Sequence, residues 1–347
     1  MNEDKKEAML WESVGENQVQ CNLCNFRCKP ADGKLGICQV RINEGGTLYS
    51  LNYHKVCSTA IDPIEKKPLF QFQPGSRSLS VACPGCNFRC DFCQNWQISQ
   101  LPRLHEKLVG RSHTPEEIVQ AAKQNRCANI SYTYTEPTIF MELCAECGRL
   151  AKQEGLANVF VSNGFMTIEA IEYAKDFLDG INVDLKAFTE EFYREHCKAR
   201  LEPVLDTLRH IARNTDIWLE VTTLIVPSLN DSDEEIKQIA EFIANELGPQ
   251  VPWHINRFHP DYQQDSLSAT TSETLEAAYE IGKQAGLHYI YVGNLPGCGK
   301  ENTVCHECGH LLIERIGYRL GQYNIINGSC PGCGTKAAGV GLDPVQL

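Results

Sequence analysis

From residue 78 onward, short apolar runs alternate with amphipathic helical patterns, and that alternation restricts the chain to a small set of folds. The runs are "SLSVA" (78–82), "ANISYTYT" (128–135), "ANVFVSN" (157–163), "INVDLK" (181–186), "IWLEVTTLIV" (217–226), "WHINRF" (253–258) and "YIYVGN" (289–294). Each reads as a buried strand. Thr114-Pro115-Glu116-Glu117 and Ser232-Asp233-Glu234-Glu235 read as capping boxes that start helices, the first with proline in its opening turn. Gly155, Gly248 and Gly286 stand where helices should stop. Strand–helix alternation of this length predicts an α/β fold on a parallel sheet, either an open doubly wound sheet or a barrel. In both, chemistry collects just past the C-terminal ends of the strands. The residues to read are therefore Cys86 to Cys93, Glu136, Asn163, Asp184 to Lys186, Pro227 to Asn230, and His259.

Residues 1–77 and 298–347 stay outside the alternation, and each segment holds four clustered cysteines. They are expected to be small metal-stapled extensions of a domain spanning 78–297. The net charge of −12 favours neither nucleic acid nor an anionic membrane surface, both of which call for basic patches. No apolar run approaches the roughly 18 residues of a membrane span. The opening "MNEDKKEAML" lacks the apolar stretch of a secretory leader, so a cytoplasmic setting is expected. In a reducing compartment, eighteen cysteines point to metal or redox work rather than a disulfide framework. Cys144 and Cys147 are set apart from that argument. With Phe140 and Ala151 they mark one face of a helical pattern, where a thiol behaves as a small hydrophobe.

The stretch "CPGCNFRCDFCQNW" (83–96) repeats a pentapeptide, Cys-Asn-Phe-Arg-Cys, already present at 24–28 inside "CNLCNFRC". In the second copy Cys86, Cys90 and Cys93 follow a strand with C-x3-C-x2-C spacing. A structural zinc site wants four ligands, and a fully protein-bound four-iron cluster wants four thiolates. Three thiolates on one tight loop hold three irons and leave the fourth open to a chelating ligand. That suits S-adenosylmethionine, through its amino and carboxylate groups. The competing readings make Cys83 a fourth thiolate in an electron carrier, or make the chain an iron–sulfur or zinc-binding scaffold.

The loop, with Phe92 directly before its third cysteine, resembles the cluster loop of the radical SAM superfamily. The resemblance continues in order through "DPIEKKPLF" (62–70), "CQNWQIS", "SYTYTEPTIF", "VSNGF", "NVDLKAF", "TTLIVPSLND", "RFHPDY" and "YVGNLPG". Single motifs of this kind are weak, but the ordered set is similar to the radical SAM enzymes of the AmmeMemoRadiSam system, which are like pyruvate formate-lyase activating enzymes. Cys83 departs from the pattern, as a spare ligand or a redox hazard.

The resemblance implies a partial or complete (β/α) TIM-like barrel and a [4Fe–4S] cluster on Cys86, Cys90 and Cys93. It implies reductive cleavage of S-adenosylmethionine to a 5′-deoxyadenosyl radical that takes hydrogen from a substrate. That substrate is a small molecule or peptide in one version, and a partner protein that receives a glycyl radical in the other. Glu136 is placed against the ammonium of S-adenosylmethionine, and Asn163 on its ribose or carboxylate side. Asp184, Lys186 and His259 face it or the substrate, and His254, Asn256 and Arg257 are further candidates. Each has a plain structural alternative: Glu136 at a helix N-terminus, Asn163 in a turn, Asp184 and Lys186 as an ion pair, His259 in the scaffold. A low-potential electron donor such as flavodoxin or ferredoxin is implied too, as are Memo-like and AMMECR-like partner proteins.

Cys305-x2-Cys308 and Cys330-x2-Cys333 form two knuckles, with glycines after Cys308 and Cys333 that allow tight turns. They predict one four-thiolate site of zinc-ribbon or rubredoxin kind, for Zn2+ or iron. Cys21, Cys24, Cys28 and Cys38 are spaced C-x2-C-x3-C-x9-C, with Gly33 and Gly36 allowing the segment to fold back. They are read as a zinc site or, alternatively, an auxiliary iron–sulfur cluster.

Overall fold

The computed structural model describes residues 5–105, 107–295 and 297–342. Its main sheet has eight strands: β1 Ser58–Pro63, β2 Arg77–Ala82, β3 Asn129–Tyr132, β4 Ala157–Ser162, β5 Gly180–Asp184, β6 Trp218–Ile225, β7 Trp253–Arg257 and β8 Ile290–Gly293. From β2 to β8 the strands lie side by side in chain order and all run parallel, while β1 runs antiparallel along the outer edge of β2. A strand order that never reverses carries every crossover the same way round, which curls a sheet into a barrel wall instead of a doubly wound sheet. Among the described residues β1 and β8 do not pair, so the barrel is partial.

The helices that cover the outside are α1 Pro115–Gln124, α2 Met141–Gln153, α3 Ile168–Ala174, α4 Glu202–Asn214, α5 Asp233–Phe242 and α6 Ser272–Gln284. Thr114 makes the full reciprocal box at the start of α1. The second box is only half made. The Ser232 hydroxyl accepts the Glu235 N–H, but the Glu235 carboxylate turns away to accept the Phe188 N–H at 2.7 Å. It ties the start of α5 to the loop beyond β5. Cys144 and Cys147 lie on the buried face of α2, as their spacing suggests.

The sheet also takes in residues that precede residue 78. Residues 58–63 pair along the whole of β2. The segment that follows, 64–73, folds across β5, β6 and β7. Phe70 and Gln71 donate their N–H groups to the Glu220 carboxylate at 3.0 and 2.8 Å, and Asn182 Nδ2 donates to the Pro68 carbonyl at 2.8 Å. An edge strand reading "STAIDP" has one buried side chain, so it carries no apolar run to announce it.

The C-terminal segment forms a three-stranded antiparallel ribbon, β9 Thr303–Val304, β10 Leu311–Ile316 and β11 Arg319–Tyr323. It is built into the barrel. Arg315 of β10 is 3% exposed; it donates to the Phe70 carbonyl at 2.6 Å and to Thr303 Oγ1 at 2.7 Å, and lies 4.4 Å over the Phe70 ring. The Gln73 N–H and the Val340 N–H add backbone bonds to Val340 O and Gln71 O. The N-terminal segment forms two small antiparallel sheets, Lys6–Glu7, Thr47–Ser50 and Arg41–Glu44, and Trp11–Gly15 with Gln18–Cys21. Among the described residues no helix is long and apolar enough to cross a membrane.

Arg315 also stands 3.7 Å from Glu65, and both side chains are fully buried. Arg315→Ala is expected to cost about 3–5 kcal/mol, the usual penalty for stripping one partner from a buried charge pair, measured by anaerobic denaturant unfolding. A loss below about 1 kcal/mol, the range of surface pairs, would mean that the ribbon is merely attached.

Candidate active site and metal centres

The C-terminal ends of the parallel strands surround a cavity of about 820 Å³, at the large end of small-molecule sites. Its wall includes Cys86, Cys90, Cys93, Glu136, Asn163, Asp184, Lys186 and His259, whereas Pro227 to Asn230, also read as strand-end residues, are absent from it. His254, Asn256 and Arg257 also line it. On one flank the wall is completed by Gly317 and Tyr318 of the ribbon.

The loop after β2 is held from two sides. Arg103, in the short helix Leu101–His105, sends Nη2 to the carbonyls of Cys86 and Ile37, both at 2.7 Å, and Nη1 to the carbonyl of Phe88 at 3.3 Å. Opposite, the Arg89 and Asp91 N–H groups donate to the carbonyls of Cys197 and His196. Phe88 is buried against Phe165. Burial pushes the Cys86 and Cys93 thiols up, and the neighbouring Cys197 does the same to Cys90. Thiols in that setting become thiolates only against a positive centre such as a metal.

Cys83 does not share this surface. It is fully buried, with Cys57 and Cys147 as neighbours, and it is absent from the cavity wall. Burial keeps it neutral. Among the described residues the three cysteines of the cavity wall are Cys86, Cys90 and Cys93.

Glu136 does cap a turn: its Oε1 accepts the Thr138 N–H at 3.0 Å at the start of the 3-10 helix Pro137–Phe140. The same oxygen accepts the Ser162 hydroxyl at 2.9 Å, and Oε2 accepts the Asn163 N–H at 2.8 Å. Burial raises its pKa in spite of these bonds. The Asn163 side chain donates to Asn87 Oδ1 at 2.7 Å, joining the end of β4 to the cysteine loop. Gly164 follows with φ +70°, and a Cβ there would stand 2.6 Å from Val183, so this turn takes glycine. Asp184 and Lys186 form an ion pair at 2.9 Å. Burial opposes the Lys186 charge, but the Asp184 carboxylate favours it, and the pKa is raised well above the usual lysine value. His259 sits exposed on the rim, while His254 is committed to the fold through a 2.6 Å bond to Glu220.

Arg103, Asn87 and Glu220 escaped the sequence reading. Each acts on backbone groups or amide partners far away in the chain, and no spacing rule marks such a residue.

The two outer cysteine groups differ. Cys305 and Cys333 lie 3.6 Å apart, as do Cys308 and Cys330, and all four sulfurs lie within 4.8 Å of one another. Tetrahedral ligands about 2.3 Å from one ion stand about 3.8 Å apart, so this set fits a single ion. Cys21, Cys24, Cys28 and Cys38 converge on a second, much smaller cavity together with Arg41, Leu48 and Ile139.

Comparison with known proteins fits this arrangement to a family. The description "Radical SAM superfamily" matches residues 80–243. The uncharacterized protein MJ0808 of Methanocaldococcus jannaschii is 46% identical over 310 residues, covering 89% of this chain and 91% of that one. The chain belongs to the radical SAM superfamily. This radical SAM protein is also similar to the pyruvate formate-lyase-activating enzyme of Clostridium pasteurianum, 23% identical over 217 residues, 58% of this chain and 87% of that one. A radical SAM methyltransferase from Sphaerobacter thermophilus shares the fold, with a TM-score of 0.52 at 17% identity over 69% of this chain and 71% of that one.

The superfamily fold implies S-adenosylmethionine and a [4Fe–4S] cluster. The residues present fit them: three thiols on one loop, Cys90 buried and Cys86 and Cys93 half-buried, no fourth on the cavity wall among the described residues, and a buried carboxylate beside them. Arg103→Gln removes the charge that clasps both carbonyls. It is expected to release iron from the central loop during anaerobic gel filtration while far-UV circular dichroism stays unchanged. Full iron retention would show that the loop holds its shape without the clasp.

Proposed function

We propose that the chain cleaves S-adenosylmethionine reductively at a cluster on Cys86, Cys90 and Cys93, and that the resulting radical takes hydrogen from a small molecule or peptide in the same cavity. The observation that carries this reading is the convergence of three loop thiols, Glu136 and Lys186 on one cavity of about 820 Å³. Glu136 Oε2 holds one bond, from the Asn163 N–H, and keeps room for one more donor. An ammonium group is the donor that suits a buried carboxylate. Lys186, kept charged by Asp184, offers the opposite sign to a carboxylate of the cofactor or substrate. The ribbon wall at Gly317 and Tyr318 limits what enters from that flank, which favours a compact substrate.

A second reading, an activating enzyme that places a glycyl radical on a partner protein, is supported by the similarity to the Clostridium pasteurianum enzyme. In either case a low-potential donor such as flavodoxin or ferredoxin supplies the electron. Memo-like and AMMECR-like proteins are the partners to test first. We assign Zn2+ to Cys305, Cys308, Cys330 and Cys333, whose spacing leaves no open position.

Anaerobic incubation with S-adenosylmethionine and dithionite, followed by mass spectrometry for 5′-deoxyadenosine, tests the central claim. Cys86→Ala, Cys90→Ala and Cys93→Ala are each expected to abolish the product, and Cys83→Ala to leave most of it. Equal damage from Cys83→Ala would return the chain to the electron-carrier reading. Glu136→Gln is expected to weaken S-adenosylmethionine binding about ten- to hundredfold, from loss of one charge-assisted hydrogen bond. Unchanged affinity on titration would confine Glu136 to capping and cross-strand bonding. Adding candidate partners and scanning for mass shifts separates the small-substrate and activating readings.

A further inference from the structure

We propose that Cys21, Cys24, Cys28 and Cys38 hold an iron–sulfur cluster rather than a single metal ion. The spacing of sulfurs within this one protein supplies the scale. Four thiolates on one ion crowd to about 3.8 Å, and the ribbon set does so. Thiolates that each bind a different iron of a cluster stand farther apart. Among the described residues, the ribbon cysteines are the one group of three or more potential ligands lying within 4.8 Å of one another. The N-terminal four are therefore set wider than a one-ion site, as are Cys86, Cys90 and Cys93. Yet all four N-terminal cysteines line one enclosed space.

The lining of that space adds an independent sign of an acceptor. Arg41 belongs to the wall and is 2% exposed; it pairs with Glu142, while its Nε finds no hydrogen-bond partner. A buried guanidinium N–H left over in this way suits the sulfurs of an anionic cluster. The Ile37 N–H already donates to Cys28 Sγ at 3.5 Å.

The two copies of the pentapeptide are also used alike. Phe26 of the first and Phe88 of the second both pack on Phe165, with ring centroids 4.8 and 5.3 Å away. Gly85 has φ +104°, and a Cβ there would stand 3.4 Å from the Cys38 carbonyl. Arg103 joins the carbonyl of Ile37 to that of Cys86. The N-terminal site thus adjoins the central loop.

The test is the full chain carrying Cys86→Ala, Cys90→Ala and Cys93→Ala together, reconstituted anaerobically with iron and sulfide. Iron, acid-labile sulfide and zinc are then assayed, with Mössbauer spectra. Iron and sulfide retained in equal amounts, and lost when Cys24→Ser and Cys38→Ser are added, are the expected result. Absence of sulfide with about two zinc ions per chain, one for each four-thiolate set, would overturn the proposal. If those variants fail to fold, the unaltered protein decides. More than about four irons and four sulfides per chain exceeds one cluster and supports a second; four or fewer with two zinc ions overturns it. Failure of the catalytic reading would show instead as no 5′-deoxyadenosine from the unaltered protein, whatever the metal count.

Discussion

A curled parallel sheet that stops before closing leaves an unfilled concave side, and the backbone that fills it must find partners for every buried N–H and carbonyl. Here the Glu220 carboxylate meets much of that need. It is fully buried and accepts from Phe70 N–H, Gln71 N–H, Trp218 Nε1 and His254 Nε2. One side chain thereby fixes the filling segment against β6 and β7. Arg315 holds the same segment from the other flank, through the Phe70 carbonyl and the Phe70 ring. Without these two charged groups the cavity would lack both a settled lining and a side wall.

The active-site loop depends on the extensions in the same physical sense. Arg103 cannot clasp Cys86 and Ile37 unless the N-terminal cysteine segment is folded against it. Glu142 links the two regions again, by accepting from the Met9 N–H and pairing with Arg41. A charge pair as deeply buried as Arg41 and Glu142 is costly to break. The segment that looks like an accessory in sequence is part of the support of the cysteine loop on the cavity wall.

What could be read from sequence follows from the range of the interactions involved. Strands β2 to β8 were legible because each is largely buried and so is rich in apolar residues, even where a buried polar residue interrupts the run. Cys86, Cys90, Cys93 and the ribbon cysteines could be picked out because cysteines that gather on one loop or pair of knuckles keep a local spacing. Glu136, Asn163, Asp184 and Lys186 could be placed on the cavity wall because strand ends are predictable once the strands are. Strand β1 was missed, since an edge strand with one buried side chain has no pattern to show. The second capping box was over-read, because Glu235 had a better acceptor's use at Phe188 than at its own helix start. Arg103, Glu220 and Arg315 were invisible for a common reason: most of their partners are brought near only by the finished fold.

The bond from Arg315 to the Phe70 carbonyl joins residues 245 positions apart. A ribosome delivers these groups in order, and N-terminal units fold first. The filling segment and the cysteine loop therefore emerge long before the ribbon that will pin the one and wall in the other. Until the ribbon is made, the chain presents an open-sided cleft with Cys86, Cys90 and Cys93 accessible. Whatever enters there meets a doorway that the later-made ribbon closes behind it.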